Sequence, residues 1–158
     1  MAMYGNLLAV RAGTLDGLDH NFVSKRADVG FQFGDPAFVD AANETDIVAP
    51  DSTDASLKFQ GVAVHTYYSD RDVEGEYPEN HMVPVCTGGE IWVKVVAVDT
   101  AIIANTPAYV IDLTSDGNYK AFTDLAGANT YGPIGYFTSN AVTVGAVKFA
   151  KIVIDGIK

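Results

Sequence analysis

The chain is poor in most of the residues that carry chemistry. Cys86 is its single cysteine, so no internal disulfide can form and a reducing compartment is permitted. Flanked by valines in an apolar stretch, this thiol reads as a small hydrophobe and not as a nucleophile. The three histidines, His20, His65 and His81, are far apart and fit no zinc signature. No Gly-x-Ser-x-Gly elbow and no phosphate-cradling glycine loop occurs. Basic residues are scarce too: ten Lys and Arg stand against twenty Asp and Glu, a formal charge of −10. That balance argues against nucleic-acid backbones and anionic membranes as partners. No apolar run reaches the length of a membrane span, and MAMYGNLLAV lacks the basic segment and cleavage site of a secretory leader. The expectation is a soluble protein made in the cytoplasm, with no catalytic set, metal or cofactor.

What is present is β-structure. Gly88–Val98 (GGEIWVKVVAV) places Ile91, Val93 and Val95 on one side of an extended chain and Glu90, Trp92 and Lys94 on the other. Five of its residues are β-branched, which suits a pleated surface, and the period is two. Gly88-Gly89 reads as a tight entry turn, with Met82–Cys86 a short strand before it. Further strands are expected in Val29–Val39, broken at Gly34-Asp35-Pro36, and in Lys58–Tyr68, Ala101–Leu113, Tyr119–Thr123, Tyr131–Phe137 and Val147–Ile154. In the last, Val147 and Phe149 fall on one face and Ile152 and Ile154 on the other. A bulge near Ala150-Lys151, or burial on both sides, would reconcile them. Asp40–Ser56 reads as a surface loop. Helical stripes are absent, so the fold class is all-β: a small single-domain β-barrel or sandwich. Residues 1–28, interrupted by Gly5, Gly13 and Gly17, read as an extended N-terminal arm able to order on a neighbour, and 29–158 as the barrel domain.

An internal echo runs through the chain. GDPAFV at 34–39 matches NTPAYV at 105–110. FQGVAV at 59–64 is followed later by a Gly-led apolar strand at Gly89, and YGPIGYF at 131–137 by another at Gly145. A barrel of two similar halves would read so; chance reuse of turn and strand vocabulary is the other reading. Ser69–Asn80 (SDRDVEGEYPEN) is the most charged stretch. Its opening resembles a calcium loop, but position 12 is His81 and not the bidentate Glu such a loop needs. A solvated acidic loop, partly neutralised by Arg71, is the better reading. Aromatic residues are abundant without interleaved basic ones, which excludes a nucleic-acid platform and suits a protein or carbohydrate surface. The candidate contact residues are Tyr4, Leu7, Leu8, Tyr67, Tyr68, Arg71, Trp92, Tyr119 and Phe122.

The order FQGVAVHT, VPVCTGGEIWVKV, NTPAYVI, YKAFTDL and YGPIGYFTSNAVTVGAVKFAKIVI resembles the cement or decoration proteins of tailed-bacteriophage capsids. The resemblance spans roughly Val29–Ile154. It implies a small β-barrel without catalytic residues that oligomerises, as a homotrimer or alternatively a dimer. It further implies binding to the major capsid protein on the outer surface of the head. From the aromatic surface alone, a β-barrel module recognising carbohydrate or a host surface is the alternative.

Overall fold

A computed structural model describes residues 12–65, 76–96 and 101–155. They form twelve strands: β1 (Leu15–Ala27), β2 (Phe31–Gln32), β3 (Pro36–Asp40), β4 (Asn43–Val48), β5 (Leu57–Ala63), β6 (Glu76–Tyr77), β7 (Met82–Lys94), β8 (Pro107–Ile111), β9 (Phe122–Thr123), β10 (Thr130–Phe137), β11 (Val142–Val144) and β12 (Val147–Ile154). No helix occurs among the described residues, and the fold is all-β.

The pairings run in two closed circuits that share β7. In the first, β1 pairs with β7, β7 with β5, β5 with β3, β3 with β4, and β4 returns in parallel to β1. In the second, β7 pairs with β12, β12 with β10, β10 with β8 and β8 with β9. A parallel bridge between Phe122 and Val95 then returns to the end of β7. Closing a sheet on itself removes most of its open edges.

The circuits repeat each other residue by residue. Val23 opposite Val85 corresponds to Ile91 opposite Ile152, and Ala63 opposite Val85 to Phe137 opposite Ile152. Ala37 opposite Gly61 corresponds to Ala108 opposite Gly135, and Ala27 beside Ile47 to Val95 beside Phe122. Connecting hydrogen bonds repeat as well. The Gly34 amide donates to the Ala63 carbonyl at 2.8 Å and Asn105 to Phe137 at 2.7 Å, while Val64 donates to Pro84 and Thr138 to Lys151, both at 2.9 Å. Gly34 and Asn105 both hold positive φ, 83° and 68°, the left-handed turn conformation that Gly and Asn tolerate best. Two glycines are fixed by close approach: a Cβ on Gly61 would overlap the Cys86 carbonyl, and one on Gly135 the Val153 carbonyl. The echo in the sequence is therefore a structural repeat.

Burial follows the circuits. Ala27, Ala37, Val39, Ile47, Ala63, Val83 and Val85 fill the first with Phe31 and Tyr77. Ile91, Val93, Val95, Ala108, Val110, Phe122, Phe137, Ala150 and Ile152 belong to a larger cluster. It also takes in Phe38, Phe59, Val62 and Cys86 from the outward face of the first circuit. β5 and β7 thus lie between two cores.

Several expectations change. From Leu15 onward the supposed arm is strand β1, paired along β7 and parallel to β4; Val23 and Ala27 enter the first core. Residues 1–11 lie outside the described residues. The stretch 40–56 is not all loop, because Asn43–Val48 forms β4 and buries Asp46 and Ile47. Gly88-Gly89 is not a turn: β7 runs unbroken for 13 residues. Its side-chain phase slips there, since Val83 and Val85 face the first core whereas Ile91 and Val93 face the second. Gly89 at φ 106° absorbs the slip, and the β1–β7 register shifts opposite it. No bulge interrupts the register of β12 on β7 from Phe149 to Ile154. Ala150, Ile152 and Ile154 face the core, and Val147 and Phe149 are half-buried on the other face, in a groove described below.

Candidate functional site

The outward faces of the two circuits differ. In the first, Phe38, Val62 and Cys86 point out of the circuit and are covered by the larger core. Their counterparts in the second are Tyr109, Tyr136 and Val153. Tyr109 and Val153 are half-buried and Tyr136 is 41% exposed. Directly opposed residues of antiparallel strands share a face. Pro107, Tyr136, Val153 and Glu90 therefore lie in one row across β8, β10, β12 and β7, with Trp92 and Lys151 in the next. Lys151 Nζ stands 5.8 Å from the centroid of the Trp92 ring, 2.9 Å from Asp16 and 3.8 Å from Glu90. The hydrogen bond to Asp16, more than the two carboxylate charges, raises the Lys151 pKa. This face is aromatic, partly apolar and locally balanced in charge on a chain of net charge −10.

Beyond the far end of β7 and β12 lies a groove of about 590 Å³. Val147 and Phe149 form one wall, Tyr119, Lys120 and Ala121 another, and Gln32 and Glu76 from the β2–β6 pair a third. Lys94 points into it. Lys120 Nζ is 3.0 Å from Asp35 Oδ2 and 5.7 Å from the Phe31 ring centroid. Burial raises the Asp35 pKa, and the lysine beside it opposes that rise.

Of the expected contact residues, the structure places three. Trp92 is half-buried on the outward face. Tyr119 borders the groove, its hydroxyl donating to the Pro50 carbonyl at 2.5 Å; burial raises its pKa. Phe122 is wholly buried. It closes the second circuit against Val95 and so belongs to the core, not to a contact surface of the folded chain. Tyr4, Leu7, Leu8, Tyr67, Tyr68 and Arg71 lie outside the described residues, as does most of the acidic loop. Cys86 is buried on β7, where desolvation raises the thiol pKa. Sequence reading passed over Lys94 and Phe149 as contact residues. Only the registers of the repeat could have brought them to one groove.

Among the described residues, no group of His, Cys, Asp or Glu is placed to hold a metal ion. No helix is long and apolar enough to cross a membrane. Shared walls, paired circuits and an aromatic outer face define a structural β-protein that works through contacts. The chain belongs to the structural cement protein family typified by E217 gp24 and Pam3 gp6, whose model matches residues 9–154. It is a cement, or decoration, protein of a bacteriophage capsid. A solved chain from the capsid of Myoviridae phage XM1 has a similar fold, with TM-score 0.67 and 19% identity over 89% of this chain and 88% of that one. No curated protein matches the sequence.

Proposed function

We propose that the protein binds the outer surface of the assembled head, bridges neighbouring major capsid subunits there, and does so without catalysis. The observation that carries this reading is the uncovered outward face of the second circuit. The repeat shows the corresponding face of the first circuit packed against protein, and here Trp92, Tyr109, Tyr136 and Val153 remain available to a neighbour. Aromatic residues at the centre of a patch are the usual anchors of protein contacts. Lys151 over the Trp92 ring leaves that ring less open to a sugar, which disfavours the carbohydrate reading. Copies on the shell form a closed oligomer, a trimer by preference and a dimer as the alternative.

A ligand that binds only the intact lattice stabilises it by mass action, about 2.7 kcal/mol per site at a hundredfold excess over its Kd. Stripped heads should therefore break at a lower temperature than decorated ones, and added protein should restore them. Trp92→Ala and Tyr136→Ala should weaken sedimentation with empty heads while the free protein keeps its melting temperature to within a few degrees. Equal breakage temperatures for stripped and decorated heads would remove the cement role.

A further inference from the structure

The repeat shows what the groove lacks. In the first circuit, Arg26 on β1 stands opposite Asp46 on β4. Its guanidinium donates from Nε and Nη2 to the two carboxylate oxygens, at 2.9 and 2.6 Å. This fork closes the circuit at its parallel seam and leaves no opening there. The matching positions of the second circuit are Lys94 and Ala121, each one residue before the Val95–Phe122 bridge, as Arg26 and Asp46 are each one residue before Ala27 and Ile47. The cation is kept and the carboxylate is replaced by a methyl group. Both residues line the groove, and Lys94 is exposed and makes no ion pair among the described residues. Lys120, the groove's other cation, is already held by Asp35.

We infer that this groove is a docking site for a second copy of the chain, which supplies to Lys94 the carboxylate that Ala121 cannot. The occupant follows from charge. Each copy carries twenty acidic residues against ten basic ones, so two copies repel except where an exposed cation meets an acidic surface. Lys94 is such a cation, set beside the apolar side chains of Phe149 and Val147. A charge-assisted contact flanked by buried apolar surface is stronger than an open surface pair. The inference rests on the reading that copies associate, and its test is made in solution, independently of heads.

Sedimentation equilibrium at low ionic strength is the measurement. The parent chain should self-associate. Lys94→Glu should weaken association at least tenfold, Lys94→Ala less, and Lys94→Arg should retain it. Lys58→Glu, an equally large charge change at an exposed position outside the groove, should leave association within about twofold, the scale of a rim charge. In 1 M salt, where the Debye length falls to about 3 Å, the difference between parent and Lys94→Glu should shrink. Ala121→Asp, which restores the first circuit's pair within one copy, should also weaken association; its melting curve shows whether it folds, and the Lys94 series decides if it does not. A parent chain that stays monomeric, or a Lys94→Glu variant that associates like the parent, overturns the inference. The cement reading is judged separately by binding to heads: heads bound equally by parent and Lys94→Glu would leave that reading standing while the solution result decides the groove.

Discussion

The two circuits have the same registers and opposite surroundings. The first is filled largely by small side chains, Ala27, Ala37, Ala63, Val83 and Val85, and both its interior and its outward face at Val62 and Cys86 are buried. The second is filled by larger ones, Phe122, Phe137 and Ile152 among them, and its outward face meets solvent at Tyr136. A repeated backbone thus fixes which residues oppose each other and leaves their environment to be set by what packs alongside. Stability is invested in the first circuit, and contact surface is presented by the second.

The comparison is tested most severely at its paired glycines. Gly61→Ala and Gly135→Ala should each cost about 3 kcal/mol or prevent folding, the upper range of overpacking effects, because the obstacle in both is a backbone carbonyl and not a flexible side chain. Denaturant melts giving equal losses would support equivalence; a benign change at one site would break it.

Next come the residues at the two parallel seams. Phe122→Ala should cost about 3–5 kcal/mol and Ile47→Ala about 2–5 kcal/mol, since both are fully buried. A loss below about 1 kcal/mol at Phe122 would mean that the single bridge does not close the second circuit.

Acid separates the carboxylates more gently. The Arg26 hydrogen bond lowers the Asp46 pKa. Its contribution is therefore present above the unfolded carboxylate range and is lost as pH falls through the lowered folded value. Burial raises the Asp112 pKa, and its Oδ1 has no partner. The sign reverses: the folded state loses stability as pH rises from the unfolded pKa to the raised one. Asp112→Asn should accordingly stabilise at pH 7 by about 1 kcal/mol, the low end of the penalty for a buried unpaired polar group, with the gain fading near pH 3. Asp46→Asn should destabilise at pH 7 and converge with the parent in acid. Thermal melts across pH 3–7 check both signs.

The smallest effect concerns Cys86. A bulky thiol reagent should label it only as fast as the chain unfolds, because it is fully buried and its thiol pKa is raised. Rapid labelling under native conditions would show that the first circuit's outward face opens.

Much of this was legible in the sequence. Alternation located β7, β10 and β12, and the Pro-Ala-aromatic-Val echo located β3 and β8 as equivalents. β1 was hidden because Gly13 and Gly17 break its pattern and because one face of Phe22–Arg26 is exposed; its partner β7 imposes the strand. β4 was hidden for a similar reason, as Asn43, Glu44 and Thr45 are all exposed. Trp92 could be placed on a surface from its alternation with Ile91 and Val93. Phe122 could not be assigned to the core, since a two-residue strand has no period to read. The groove is invisible in sequence because its walls come from residues 30 to 149 and meet only through the repeat.

The sharing of β7 has a mechanical meaning. In arrays whose repeats meet only at interfaces, one unit can melt while its neighbour stands. Here the last wall of one circuit is the first wall of the next, so neither can open without stripping hydrogen bonds from the other. The described strands should therefore give way in one cooperative event, and a pull applied to the outer circuit is passed directly into the inner one.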